Sequence, residues 1–405
     1  MLDTHEIAAK KPSTGTLSDG IVHGKKNLKL IEVNYKRNVS SNFTERMVEL
    51  QNSFSYADHS DHFWVQPEFS LLYGSPVYTA ASEAQKKALN HLYWVCFYNY
   101  SIGGEVTTMV YNQLTCGAFY PLGGYETLCR ELDVETSQER AHVEAFRTIG
   151  QQTEMALLGD LIFDRPMPNY VEAALIHPQK GARSFIRNSP AQFYAVQVGV
   201  SPFVASQYYT VRGLRNIQLK VKEYRHSQYC QELEKAGAFV PAPTAVSHFH
   251  YLDEAFHTAT SQLISHDLYK DFKKPSAMEI FASNVGIFGV QRTMQTLSGA
   301  VPGIFTDDSN YIPLVYRMLQ TPLFGMDRRE ALQAVRQCFC AEHEGFHVAA
   351  RYHEKALSDN RKYMEEVDYL WPINRELRIM AKAHLSTAIK SNIQSFKRFE
   401  QTLSV

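Results

Sequence analysis

Three Glu-x-x-His pairs are the residues in this sequence whose type and spacing suggest metal chemistry. A spacing of three places a carboxylate and an imidazole on the same face of a helix. Carboxylates bridge and neutralise two cations, and a neutral imidazole completes a coordination sphere without adding charge. About one such pair is expected by chance in a chain of this composition, so position has to select among them. The pairs are Glu139/His142, Glu254/His257 and Glu344/His347.

The first pair has a partner at matching depth in a helical hairpin. A proline and two glycines at 121–124 predict a turn inside an otherwise helical pattern. Leu122, at the centre of this turn, lies midway in sequence between Glu105 and Glu139. Equal distances from the turn of an antiparallel hairpin correspond to equal depth in a bundle. The spacing therefore predicts Glu105, Glu139 and His142 as metal ligands.

The second pair has the same relation to another turn. Glycine and prolines predict this turn at 237–243, and its centre lies midway between His226 and Glu254. Glu223 lies within one helical turn of matching depth. The spacing predicts Glu223, Glu254 and His257 as ligands. For Glu223 this requires a second buried face on its helix, and Gln207 is the alternative ligand.

His250 extends the stripe formed by the second pair. His250, Glu254 and His257 are spaced i, i+4 and i+7, so they share one helix face. A further metal ligand is therefore predicted at His250. Asp253 faces elsewhere, and its predicted role is a hydrogen bond to a ligand histidine on another helix.

The third pair has no acidic partner at matching depth. Only Glu279, near the start of the preceding helix, is available. We therefore predict that Glu344 and His347 are surface or structural residues. The alternative is an auxiliary metal or a proton path that also involves His343 and His353.

The elements that must position these residues are helices. The sequence predicts an all-α fold, a ferritin-like four-helix bundle with an additional N-terminal segment and C-terminal helices. Two helical hairpins joined by one long connection give this topology. Residues 27–36 partly alternate and predict an extended segment, and prolines predict an irregular connection at 159–199. The helices are predicted at about 82–116, 133–158, 202–235, 244–266, 276–297, 328–358 and 361–402.

The predicted organisation has three parts within one folded unit. Residues 1–64 form an N-terminal extension, 65–270 form the dimetal bundle, and 271–405 form helices packed on the same domain. With 41 Lys and Arg against 42 Asp and Glu, nothing indicates nucleic-acid binding. No membrane span and no secretory signal is predicted, and the six cysteines form no CxxC pair. We therefore expect a cytoplasmic protein with reduced thiols.

The ligand pattern resembles that of the AurF-type p-aminobenzoate N-oxygenases, which are ferritin-like diiron enzymes. The resemblance covers roughly residues 65–265 and includes Trp94 to Glu105, which looks like the first core helix of that family. It implies that the extra histidine, His250, is a metal ligand, and it suggests a homodimer. The dimetal-carboxylate halogenases of the CylC type are similar in the same motifs. The residues that carry the resemblance are Glu105, Glu139-x-x-His142, Glu223 and His250-x-x-x-Asp-Glu254-x-x-His257.

These patterns predict an enzyme that uses two metal ions, Fe/Fe or Fe/Mn, to activate O₂. The expected reaction is oxygenation of a natural-product precursor at an N–H or C–H bond. The first alternative is a halogenase that chlorinates or brominates an acyl chain, although no ligand position is visibly given up for a halide. The second alternative is a ferroxidase or iron-binding protein. The expected partners are an external electron donor and a substrate that is either a small molecule or an acyl chain on a carrier protein.

Replacing Glu139 or Glu254 by Ala is expected to abolish metal loading, because each belongs to a hairpin with matched ligands. Glu344→Ala serves as the matched control and should keep nearly all its metal. Elemental analysis after iron-supplemented expression should give close to two metal ions per chain for the parent. Metal loss in Glu344→Ala as severe as in Glu254→Ala would contradict the choice among the three pairs.

Overall fold

The computed structural model describes residues 25–163, 201–303 and 308–403. Within these ranges all regular structure is helical. We number the longer helices α1–α11 in chain order. Short helical segments occur at Tyr56–His59, Pro67–Phe69, Pro76–Ala80, Tyr120–Leu122, Leu268–Asp271, Asp308–Asn310, Pro372–Arg375 and Met380–Lys382. The numbered helices are α1 Lys25–Val39, α2 Phe43–Ser53, α3 Glu83–Phe119, α4 Glu126–Leu158, α5 Pro202–Lys235, α6 Ala242–His266, α7 Ala277–Met294, α8 Tyr311–Leu319, α9 Arg328–Cys340, α10 Glu344–Glu365 and α11 Leu385–Leu403.

Two antiparallel helix pairs, α3 with α4 and α5 with α6, form the bundle that was predicted from the sequence. The helix α3 begins where a capping box satisfies its first amides. Ser82 Oγ accepts from the Gln85 amide, and Gln85 Oε1 accepts from the Ser82 amide at 2.9 Å. This confirms the predicted start of α3. The turn to α4 has positive φ at Gly123 and Gly124, and α4 starts at Glu126, seven residues before the predicted start.

The remaining helices cover the bundle from both ends of the chain. Helices α1 and α2 lie across α4 and α6, while α7 and α10 pack on α5. Helices α8, α9 and α11 contact one another and extend the same hydrophobic core, to which Met318, Phe339 and Phe396 belong. In the part of the chain that the structure describes, no helix is both long and apolar enough to cross a membrane.

The prediction of an extended segment at 27–36 is wrong, because these residues lie within α1. Tertiary contacts outweigh the partial alternation of the sequence. Ile31 is buried. Asn34 and Asn38 lie one and two turns further along the same face, and their side-chain amides donate hydrogen bonds to Glu131. The helical period therefore matches the partners on α4 and α6, whereas a strand would separate these side chains onto opposite faces.

The two C-terminal helices predicted at 328–358 and 361–402 are also wrong in their bounds. The first is divided into α9 and α10 by Ala341, whose backbone is extended, and the side chain of His343 caps α10. The second begins only at Leu385, after a segment in which Pro372 starts a separate short helix. The predicted connection at 159–199 lies mostly outside the described residues.

Candidate metal centre

Four predicted ligands converge inside the bundle. One ligand atom from each lies within 4.8 Å of the ligand atoms of the others. All four side chains are buried, and they come from three helices, α3, α4 and α6. The group consists of Glu105, His142, His250 and Glu254.

A second group of the same kind lies beside the first. Glu135, Glu139 and His257 each offer a ligand atom within the same limit of 4.8 Å. Short contacts join the two groups, since His142 Nδ1 lies 3.2 Å from Glu139 Oε2 and His257 Nδ1 lies 2.6 Å from Glu254 Oε1. The two groups therefore form one continuous cluster between α3, α4 and α6.

The residues present fit a pair of metal ions. Carboxylates with neutral imidazoles suit iron and manganese. His250 Nε2 is buried without a hydrogen-bond partner, and Glu105 Oε1 is 3.4 Å from it. The second oxygen of Glu135 is likewise buried and unpartnered. Such atoms are costly in a protein interior unless a cation or a donor satisfies them.

Each histidine of the cluster is oriented by a partner at its other ring nitrogen. His142 Nε2 lies 2.9 Å from Asp253 Oδ2, and His257 Nε2 lies 2.9 Å from Gln138 Oε1. His250 Nδ1 lies 2.8 Å from Glu223 Oε1. Carboxylates and amides in such positions fix the tautomer and ring angle of a ligand histidine.

Asp253 is held in place by three donors, which confirms its predicted hydrogen bond to a histidine on another helix. Besides His142, Thr44 donates to Oδ2 at 2.7 Å and Gln138 donates to Oδ1 at 3.0 Å. Burial opposes ionisation, but the hydrogen bond and the charge of His142 keep the pKa of Asp253 below its usual value. Asp253 therefore faces His142 as a carboxylate.

Glu223 is buried at the edge of the cluster. It contacts His250, but it belongs to neither of the two groups, so its role as a direct ligand stays a prediction. On the second face that this role requires, Cys230 is buried, whereas Leu219 and Leu233 are only partly buried. Gln207, the alternative, donates to the hydroxyl of Tyr369 at 2.7 Å and is part of neither group.

Two charged residues of the cluster, Glu135 and Arg212, were not predicted from the sequence. The guanidinium of Arg212 contacts Glu135, reaches Glu139 Oε1 at 3.0 Å and donates to Ser261 Oγ at 3.2 Å. Arg212 is only 5% exposed. The spacing of Glu131, Glu135 and Glu139 at i, i+4 and i+8 is a signal that could have identified Glu135, because it forms a carboxylate stripe along one face of α4.

A second cation, which is partly buried, approaches the cluster from α5. Lys220 Nζ donates to the backbone oxygen of Glu254 at 2.6 Å. Burial lowers the pKa of Lys220, and the carboxylates of Glu254 and Glu223 oppose that effect. The cluster therefore has positive charge on its α5 side.

The third Glu-x-x-His pair lies on the surface, as predicted. Glu344 pairs with Arg351 at 3.0 Å, and His347 pairs with Glu342 at 3.1 Å, with about half of each of these side chains exposed. His343 and His353 bond instead to the backbone oxygens of Cys338 and Met294. Among the described residues, no candidate metal group includes any of these histidines.

The fold and the cluster together define the class of protein: a helical bundle that contains a candidate dimetal-carboxylate centre. A family model described as "Acyl halogenase CylC-like" matches residues 26–189 and 169–400. The chain therefore belongs to the CylC-like acyl halogenase family, which confirms the resemblance to halogenases of the CylC type. No curated protein and no solved structure matches the chain.

Asp253→Ala is expected to weaken metal binding about 10- to 100-fold, because His142 loses the carboxylate that orients its ring. Asp267→Ala, at the residue that follows the end of the same helix, is the matched control, since the Asp267 side chain is half-exposed and forms an ion pair with Lys270 at 3.6 Å. Metal titration of the metal-free proteins measures both affinities. Equal affinities in the two variants would show that Asp253 does not position a ligand.

Glu131→Gln is expected to remove a pH-dependent loss of stability. Burial and the nearby Glu135 raise the pKa of Glu131 to about 7, above the ordinary value of 4.5 for a glutamate. The parent therefore loses stability as pH rises from about 4.5 to about 7. Over this window the variant should gain on the order of 3 kcal/mol relative to the parent. Urea unfolding of the metal-free proteins checks this, and parallel pH profiles would contradict it.

Proposed function

We propose that this chain is a dimetal halogenase that replaces hydrogen by chlorine or bromine at a C–H bond of an acyl chain. The family match over both halves of the chain is the observation that carries this proposal. The two joined groups of buried carboxylates and imidazoles support it, because they provide ligands for the two metal ions that the reaction requires.

The two groups divide the candidate ligands between two metal ions. Glu105, His142, His250 and Glu254 would hold one ion. Glu139 and His257 would hold the other, with Glu135 as the additional carboxylate. Glu223 contacts His250 and would therefore act on the side of the first ion. Two iron ions, or iron with manganese, would activate O₂ and supply the oxidising power that cleaves an unactivated C–H bond.

The overall reaction defines the co-reactants that the protein needs. A C–H bond breaks and a carbon–halogen bond forms, while O₂ is reduced to two waters. The balance consumes one halide, two electrons from an external donor and three protons. The substrate that we propose is an acyl chain, either free or as a thioester on a carrier protein.

The surrounding side chains keep the centre ordered and dry. Tyr98 and Phe146 stack with ring centroids 4.1 Å apart, and Phe146 lies against His250 at 4.9 Å. Trp94 also packs on Tyr98, with ring centroids 4.6 Å apart, and all these rings are buried. Water exclusion strengthens the electrostatic interactions of the site and limits side reactions.

The family match reverses the order of the functions expected from the sequence. Oxygenation remains the second candidate, because the seven predicted ligands leave few positions open on two metal ions and match the N-oxygenase motif in full. The ferroxidase alternative has no comparable support, since the matched family model describes acyl halogenases.

Product analysis separates the two candidates. Reduced, metal-loaded protein is incubated with labelled O₂, chloride and bromide, and with acyl thioesters, free fatty acids and aryl amines. We expect a halogenated acyl product without incorporated oxygen, and no product from Glu254→Ala. Glu344→Ala should retain activity as the control. Labelled oxygen in the product without any halogen would overturn the proposal in favour of the oxygenase.

A further inference from the structure

A row of hydrogen-bond donors follows one face of α5 beside the metal cluster. Arg212, Asn216 and Lys220 are spaced i, i+4 and i+8, so their side chains project from the same side of the helix. The outer two carry positive charge, and their Cα atoms are about 12 Å apart along the axis. Asn216 lies midway between the two cations.

This row faces α6 in a fixed register. At one end Lys220 Nζ donates to the backbone oxygen of Glu254 at 2.6 Å, and at the other end Arg212 Nη1 donates to Ser261 Oγ at 3.2 Å. In an antiparallel pair, the residue midway between Arg212 and Lys220 lies opposite the middle of the segment between Glu254 and Ser261, which is at 257–258. The register therefore sets Asn216 across from Thr258.

Asn216 and Thr258 present polar atoms that the protein does not satisfy. Asn216 Nδ2 and Thr258 Oγ1 are both buried, and neither has a hydrogen-bond partner. Unsatisfied buried donors are rare in folded proteins, because they lose hydration without compensation. Two of them on opposite sides of one helix–helix seam indicate a ligand between them.

The chemistry of this seam selects the ligand. An amide N–H, a hydroxyl, a guanidinium and an ammonium group all donate hydrogen bonds, so the ligand accepts them and carries negative charge. Each cation lies one helical turn, about 6 Å along the axis, from Asn216, and this spacing suits a single-atom anion. Arg212 and Lys220 also offset the repulsion from the carboxylates of Glu254 and Glu139.

We propose that chloride or bromide binds in the α5–α6 seam between Asn216 and Thr258, flanked by Arg212 and Lys220. The proposal rests on the proposed function in one respect, because halogenation requires a halide and the metal ligands leave no obvious position for one. Thr258 follows the candidate ligand His257 in sequence but projects from a different side of α6, so the anion would not be a metal ligand in this site. Ala255 and Ala259, which flank Thr258 at i−3 and i+1 on α6, are exposed.

The first test locates the anion. Crystals of the metal-loaded protein are soaked in bromide, and the anomalous signal of bromine is mapped. We expect a peak within hydrogen-bond distance of Asn216 Nδ2 and Thr258 Oγ1. Bromide found only on the outer surface would overturn the proposal, as would a fatty-acid carboxylate that occupies the seam in preference to bromide when both are supplied.

The second test measures the contribution of each donor. Chloride binding to the metal-free protein is followed by broadening of the chloride NMR line. Asn216→Leu and Thr258→Val should each weaken binding about tenfold, because each removes a hydrogen bond to an anion. Gln228→Leu, further along α5, is the control and should bind like the parent. Equal binding in all four proteins would contradict the assignment.

The two proposals fail in distinguishable ways. Bromide in the seam of a protein that forms only oxygenated products would remove the halogenase function and leave the anion site. Halogenated product from Asn216→Leu, with the chloride concentration for half-maximal rate unchanged from the parent, would remove the anion site and leave the halogenase.

Discussion

The burial of many carboxylates in one helical bundle is the constraint on which the rest of this structure depends. Glu131, Glu135 and Glu139 are fully buried along α4, and Glu105 and Glu254 join them from α3 and α6. Isolated charges of this kind are too costly in a protein interior. Each carboxylate therefore requires a proton, a hydrogen-bond donor or a cation, and the surrounding helices are positioned so that their side chains supply these partners.

Three kinds of compensation are visible around the cluster. Arg212 supplies a permanent charge to Glu135 and Glu139, whereas Glu131 has a raised pKa and accepts amide donors from α1. The histidines supply partners whose protonation depends on the carboxylates next to them. Burial lowers the pKa of His257, but the charge of Glu254 outweighs this effect and the pKa is raised well above the usual value. Metal ions would take over this last role, which explains why ligand histidines and carboxylates lie so close together.

Much of the bundle and of the candidate site was predictable because both depend on periodic spacing. Symmetry about Leu122 and about position 240 led to Glu105, Glu139 and Glu254, and adjacency to a ligand stripe led to Asp253. Arg212 was missed because an arginine within a helix is ordinarily a solvated residue, and only its contacts on α4 show otherwise. The break at Ala341 and the helical state of 27–36 depend on packing between distant segments, which local pattern does not encode.

The contacts of α1 indicate that the four central helices alone are not a sufficient structural unit. Asn34 and Asn38 reach Glu131 on α4, and Asn38 also exchanges hydrogen bonds with Gln138, the residue that orients His257. Trimming the chain to its four central helices would leave these amides and carboxylates unmatched. A shortened version of this protein should therefore retain α1, which stabilises the residues around the candidate metal cluster although it contributes no ligand to either group.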